Sequence, residues 1–197
     1  MAATAVEFFF DPNCPFTWRT SRWLTEVADT GAATVTWRLM SLGVLNEGKE
    51  IPEQYREGVR QGGRALRALA AAQADGGSDA VARLYTAIGT RRHERGEASD
   101  DASIAAAVAE AGLPESVAAA VDDESLDAAV RTEHEAAQAA VGDTAGSPVV
   151  ALEGRGFFGP VVAPVPTGDD ALRLFEGVRL LAGVGAFSEL KTARRPL

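Results

Sequence analysis

A chain of 197 residues with 46% hydrophobic and 24% charged side chains can build one domain, or one domain carrying a large insertion, around a sizeable core. Its 28 acidic against 19 basic residues leave a formal charge of −9, which disfavours phosphate backbones and anionic lipid, so neither nucleic acid nor a membrane is an expected partner. One cysteine makes no internal disulfide, and two histidines with one thiol are a poor metal set, so the expectation is a cytoplasmic protein without a structural metal.

The opening residues lack the basic segment and cleavage site of an export signal, and no apolar run approaches the ~20 residues a bilayer requires. Val6 to Phe10 is a short apolar run closed by Asp11-Pro12-Asn13, and it predicts a buried strand ending in a turn. Pro15 suits the first position of a helix, along which Trp18, Arg22, Trp23, Val27 and Ala28 recur at helical spacing until Gly31. Val35, Trp37 and Leu39 then alternate in the β-branched run Thr34 to Met40, a second strand. A strand, a helix and a strand in succession favour parallel pairing through a right-handed crossover.

From residue 43 to 145 alanine, glutamate and arginine replace the strand formers. A helix opens at Pro52 and runs through Gln73, with Tyr55, Val59, Leu66 and Leu69 on its apolar side and Gly62-Gly63 as a kink or close-packing point. Ser78 caps a second, striped by Val81, Leu84, Tyr85 and Ile88. A third carries Ile104, Val108 and Ala111, Pro114 starts a short fourth, and the last aligns Leu126, Val130, His134, Ala137 and Val141. Strand character returns after Gly142: Ser147 to Leu152 and Phe157-Phe158 flank a Gly-rich turn and form a hairpin. Thr167 caps a final helix, with Asp169 and Asp170 in its first turn and Ala171, Leu174, Phe175, Val178, Leu181 and Ala182 on one stripe.

The only thiol, Cys14, lies where the first strand hands over to the first helix, in Asn13-Cys14-Pro15-Phe16-Thr17. With Pro15 at the first helical position, the amides of Phe16 and Thr17 lack intrahelical partners and the helix dipole is positive there. Both effects favour thiolate, so a depressed Cys14 pKa is expected. The Thr17 hydroxyl, three residues on, is within reach of the same sulfur. A free cysteine also serves as a small buried apolar residue, but turn formers on either side point to a reactive one. Ser147-Pro148 precedes a strand, a place for an ordinary trans proline or for a cis peptide that would present the Ser147 backbone beside Cys14. His93 and His134 are read as structural or solvated unless one faces the cleft beside Cys14. Trp18, Trp23 and Tyr55 are read as core, and Arg91, Arg92 and Arg95 as a solvated face. No phosphate loop and no Ser-His-Asp arrangement stands out.

The order β-α-β, helical block, β-β-α, with a Cys-Pro-X-X start and a later X-Pro, resembles the thioredoxin fold of the DsbA and kappa-class glutathione transferase superfamily. More narrowly, Phe10-Asp11-Pro12-Asn13-Cys14-Pro15, Thr20-Ser21-Arg22-Trp23, Met40-Ser41-Leu42, Leu45-Asn46-Glu47, Pro52 to Gly58, Leu84-Tyr85-Thr86-Ala87 and Phe157 to Val161 resemble the mycothiol-dependent nitroreductase group of actinobacteria. The fold class expected is therefore α/β, with a thioredoxin-like domain over residues 1–42 and 146–197, a helical insertion over 43–145, and Cys14 at the floor of a cleft between them.

The resemblance implies a redox enzyme that uses mycothiol, with Cys14 as nucleophile, Thr17 beside it, and Pro15, Phe16, Ser147, the cis proline Pro148 and His93 around the bound thiol. Its substrate would be a disulfide or a small electrophile such as a nitroaromatic. The group's pattern has a second cysteine where this chain has Thr17, so a mixed disulfide must be resolved by a second small thiol, a redoxin or another chain. Thr17 is also similar to the hydroxyl residue of kappa-class transferases and chromene-carboxylate isomerases, in which a bound thiol does the chemistry. A thiol-dependent isomerase or transferase and a non-catalytic thioredoxin-like binding protein are the alternatives. The long alanine-rich helices are compatible with a homodimer.

Overall fold

The computed structural model describes residues 2–193. Four strands form one sheet in the order β2-β1-β3-β4. β1 (Thr4–Phe10) is parallel to β2 (Ala33–Leu39), with Val6 opposite Val35 and Phe8 opposite Trp37. β3 (Val149–Leu152) runs antiparallel to β1, and β4 (Arg155–Phe158) returns beside β3 through a turn at Glu153 and Gly154, both with positive φ. β1 is thus an inner strand with both faces covered, which is why its three phenylalanines run consecutively instead of alternating with polar residues. Phe8 and Phe10 enter the main core, while Phe9 packs on the opposite face with Met40, Ala137 and Val149.

Helix α1 (Pro15–Asp29) connects β1 to β2, as the sequence predicts. A one-turn helix, α2 (Leu42–Leu45), follows β2. The two helices expected between residues 52 and 89 are present as the two arms of α3 (Glu53–Gly89), which meet at a kink where the backbone of Gly76 and Gly77 is non-helical. The kink is there and not at Gly62-Gly63; Gly62 is instead a close-packing point, since a Cβ would lie 2.6 Å from the Asn13 amide nitrogen. Ser78 follows the kink, and its hydroxyl accepts a hydrogen bond from the Trp37 amide (2.8 Å), satisfying a donor on the edge strand. Tyr55, expected in the core, is 59% exposed because α3 begins beyond the packed part of the molecule.

A π-helical turn (Thr90–Glu94) ends α3. Then come α4 (Asp101–Glu110), α5 (Glu115–Ala119), two short 3-10 turns and α6 (Asp127–Val141), which stops at left-handed Gly142. The last helix, α7 (Gly168–Ala182), packs on α1, where Trp23 Nε1 donates to the Ala171 carbonyl at 3.0 Å. Thr167 occupies its N-cap position without capping it. Glu26 of α1 accepts from the Gly168 amide instead, at 3.0 Å. Val6, Trp23 and Leu39 from the sheet half, and Leu66, Leu84, Ile104 and Val130 from the helical segment, belong to one continuous apolar cluster.

Candidate active site around Cys14

β1 ends in a turn organised by a buried carboxylate. Asp11 Oδ1 accepts from the Asn13 amide at 2.8 Å, and Oδ2 accepts from the Leu42 amide at 2.7 Å. The Asp11 amide donates to Ser147 Oγ at 3.0 Å, and its carbonyl accepts from the Cys14 amide at 3.1 Å. One residue therefore ties the cysteine loop to the loop after β2 and to the loop before β3. Burial pushes its carboxyl pKa up, opposed by those amide bonds and by the charge of Arg92.

Cys14 is the N-cap of α1, with extended backbone (φ −82°, ψ 114°) and Pro15 next, so the helix begins where proline's missing N–H costs nothing. Sγ points at the residue before Pro148: it donates to the Ser147 carbonyl at 3.6 Å. The Ser147–Pro148 peptide is cis, and so are Gly159–Pro160 and Ala163–Pro164, which sequence reasoning did not single out. The Thr17 hydroxyl lies 2.6 Å from Ser147 Oγ and is fully buried. Cys14, Pro15, Phe16, Thr17, Ser147 and Pro148 are thus one cluster.

The expected depression of the thiol pKa is not what this site gives. Burial pushes the Cys14 thiol up, because the residue is only 8% exposed and a thiolate there is poorly solvated. The Thr17 hydroxyl and the Thr17 and Phe16 amides pull the other way, as helix-start geometry predicts, while the negative charge of Asp11 adds to the rise. The open cleft expected over Cys14 is also not found at the grooves of about 490 and 310 Å³. The larger lies between α1, β2, α3 and α4 beside Trp37 and Arg83, the smaller beside Arg91 and Asp100, and neither is lined by Cys14.

The helical segment reaches the cysteine loop at two points. The π-helical turn carries His93, whose Nε2–H donates to the Pro12 carbonyl at 2.9 Å and whose ring stacks on Trp18 with centroids 5.9 Å apart. Burial and the adjacent Arg92 lower the His93 pKa. Its link to the site runs through Pro12. Asn13, which the sequence reading passed over, makes the second point: Nδ2 donates to the Gly58 carbonyl at 2.5 Å, and Oδ1 is buried without a partner. His134 is structural, accepting from the Ser41 amide at 3.4 Å where α6 meets the loop after β2. Arg91 pairs with Glu97 and Glu110, so the basic run is not merely a solvated face. Among the described residues no group of three or more His, Cys, Asp or Glu could hold a metal ion.

Comparison with known proteins adds the following. Residues 13–192 match the family model for Rv2466c-like proteins, described as mycothiol-dependent nitroreductase Rv2466c. The uncharacterized protein Rv2286c of Mycobacterium tuberculosis is 33% identical over 201 residues, covering 98% of this chain and 84% of its own length. DsbA from Chlamydia trachomatis superposes with a TM-score of 0.61 at 14% identity, covering 93% of this chain and 90% of that one. The cytosolic disulfide reductase DsbM from Pseudomonas aeruginosa, solved with GSH, gives 0.58 at 21% identity, covering 89% and 98%. These two likenesses show the DsbA-like thioredoxin fold.

Proposed function

Because the chain belongs to the Rv2466c-like family of mycothiol-dependent nitroreductases, and is by family and fold a thiol-dependent oxidoreductase, we propose that it reduces a disulfide or a small electrophile of the nitroaromatic kind at the expense of mycothiol, with Cys14 as its nucleophile. The observation that carries this reading is the placement of the single thiol at the start of α1, with its sulfur against the Ser147 carbonyl.

The surroundings of Cys14 fit an uncharged thiol such as mycothiol, a sugar-cysteine compound without a carboxylate. Nearest the sulfur are the Thr17 hydroxyl, the Phe16 and Thr17 amides and the Ser147 carbonyl, while the negative charge of Asp11 is taken up by the Asn13 and Leu42 amides, and the unpartnered Asn13 Oδ1 is an acceptor for an amide or hydroxyl donor. Asn13, Pro15, Phe16, Ser147, Pro148 and, across the loop, His93 would hold it. Mycothiol would supply the electron pair, two thiols becoming one disulfide. On the protein, the Cys14 thiolate attacks one sulfur of a substrate disulfide. A new S–S bond forms as the old one breaks, and the displaced thiolate takes up a proton. Position 17 has a hydroxyl and no sulfur, so the thiol that releases Cys14 comes from outside the chain.

The Thr17 hydroxyl is fully buried and engaged by Ser147, which speaks against its activating a bound thiol in the manner of a kappa-class transferase. Incubation with oxidised mycothiol followed by intact-mass measurement tests the proposal. We expect one mycothiol adduct, lost in Cys14→Ser; turnover surviving in that variant, or no adduct on the native chain, overturns it.

A further inference from the structure

The groove of about 490 Å³ between α1, β2, α3 and α4 takes no part in the chemistry proposed for Cys14. It opens beside Thr25, Ala28 and Asp29, near the C-terminal end of α1, whereas Cys14 caps the other end. At about 1.5 Å per residue, the helix from Cys14 to Thr25 separates the two by roughly 16 Å. Arg22, on α1 between them, bridges to α3. Its guanidinium lies 4.0 Å over the Trp18 ring, and Nη2 donates to Thr86 Oγ1 at 3.3 Å.

Two features of the groove walls say what it takes. The first is apolar and aromatic. The Trp37 ring meets Phe8, Phe10 and Tyr85 in the core, with centroids 5.3, 6.3 and 6.0 Å away. It stays partly exposed nonetheless, and with Val35 and Ala82 it lines the groove, a wall suited to a flat aromatic ring. The second is a held but uncommitted cation. Arg83 Nε donates to the Ala111 carbonyl at 3.1 Å, which fixes the guanidinium at the groove. Among the described residues Arg83 has no ion pair, and neither of its terminal nitrogens has a hydrogen-bond partner. The Glu110 carboxylate, one residue from Ala111, also lines the groove but is paired with Arg91 at 3.0 Å. Asp29, exposed at the end of α1, is the other acidic group there.

We propose that this groove is a binding site for a planar aromatic carboxylate, its ring against Trp37 and its carboxylate on the two terminal nitrogens of Arg83. A guanidinium fork matches a carboxylate with two parallel, charge-assisted bonds. One uncommitted cation accepts one negative charge, and Asp29 opposes a second, which disfavours a phosphate dianion. The volume falls within the roughly 300–1,000 Å³ of sites that hold small molecules.

The test uses naphthalene-2-carboxylate and its neutral amide on the full chain, followed through the tryptophan indole N–H resonances of nitrogen-15-labelled protein. The Trp37 signal is assigned as the one lost in Trp37→Phe. The acid should shift it saturably and leave the Trp23 signal in place, since Trp23 is buried with Nε1 bonded to the Ala171 carbonyl. The native chain should bind the amide about tenfold more weakly than the acid. Arg83→Gln should weaken the acid by about the same factor and leave the amide unchanged. Rising salt should likewise weaken the acid and not the amide.

No saturable Trp37 shift up to millimolar acid, equal affinity for acid and amide, or an Arg83→Gln chain that binds the acid like the native one would each overturn the proposal. The comparison of acid with amide needs only the native protein, so it decides the matter even where Arg83→Gln fails to fold. None of these readings involves mycothiol or the Cys14 thiol, so the result is independent of the adduct experiment.

Discussion

Asp11 is the residue on which the geometry of the site converges, and its charge and its hydrogen bonds act in opposite senses. Its negative charge raises the Cys14 pKa, whereas its two carboxylate oxygens hold the Asn13 and Leu42 amides that shape the loop. Asp11→Asn separates the two effects. The carboxamide retains one acceptor, so one buried amide loses its partner, at a cost of about 1–3 kcal/mol in stability. Removal of the charge should meanwhile lower the pH midpoint of Cys14 alkylation. A variant that alkylates with an unchanged or raised midpoint would show that the charge of Asp11 is not felt at the sulfur. The pH dependence of stability carries its own sign. Burial raises the Asp11 pKa, so the folded chain holds this proton to higher pH than the unfolded chain does. The contribution is complete below the ordinary carboxylate range and is lost as pH rises through the folded value. Urea melts of Asp11→Asn should therefore fall less steeply with rising pH above about 4 than those of the native protein.

Between elements, the sharpest contact is that of α1 with the end of α3. A Cβ at Gly89 would lie 2.2 Å from the Trp18 ring, whose other neighbours are the Arg22 guanidinium at 4.0 Å, the Tyr85 ring at 5.7 Å and the His93 ring. Gly→Ala within a helix ordinarily gains roughly 0.5–1 kcal/mol, whereas overpacking costs about 1–3 kcal/mol. With Trp18 enclosed, the overpacking wins. Gly89→Ala should lower the urea midpoint with an unchanged slope, and a neutral or stabilised variant would contradict the enclosure. This contact was not legible in the sequence, where Gly89 is one small residue between Ile88 and Thr90. The elements beside it were: the 3.6-residue spacing of Trp18, Trp23 and Val27, and the alternation of Val35, Trp37 and Leu39, each depend on a single face being buried. The position of Cys14 was legible too, because Pro15 marks a helix start by its own covalent geometry. Its burial was not, since what covers the sulfur comes from residue 147, more than a hundred positions away. For the same reason the bonds of Asp11 to Leu42 and Ser147 and the anchoring of His93 through a π-helical turn escape any reading of local periodicity, whereas the break of α3 at Gly76-Gly77 was legible in the glycine pair itself.

Over the whole molecule, two kinds of contact join the sheet to the helices, and they differ in strength. One ion pair, Arg38 with Glu133, joins the sheet to the helices, whereas Arg38 with Glu7 lies within the sheet and the pairs of Arg64 with Asp101 and Asp122 and of Arg67 with Asp127 lie within the helical segment. Most of the carboxylates are solvent-exposed, and such pairs contribute about 0–1 kcal/mol each and weaken with salt. The apolar cluster is different: Phe8, Trp23, Leu66, Leu84 and Ile104 are each at most 1% exposed, and they come from β1, α1, α3 and α4. If the core couples the sheet half to the helical segment, neither can open without exposing the other's apolar surface. Trp18, Trp23 and Trp37 all lie within residues 1–42, whereas far-UV circular dichroism is dominated by the helices between residues 53 and 141. Tryptophan fluorescence and dichroism should accordingly trace one coincident urea transition. Raising the salt concentration should leave that coincidence intact, because screening removes only the weaker set of contacts. Two separated transitions, or one that splits as salt rises, would mean that the Arg38–Glu133 ion pair and not the apolar cluster holds the helical segment to the sheet.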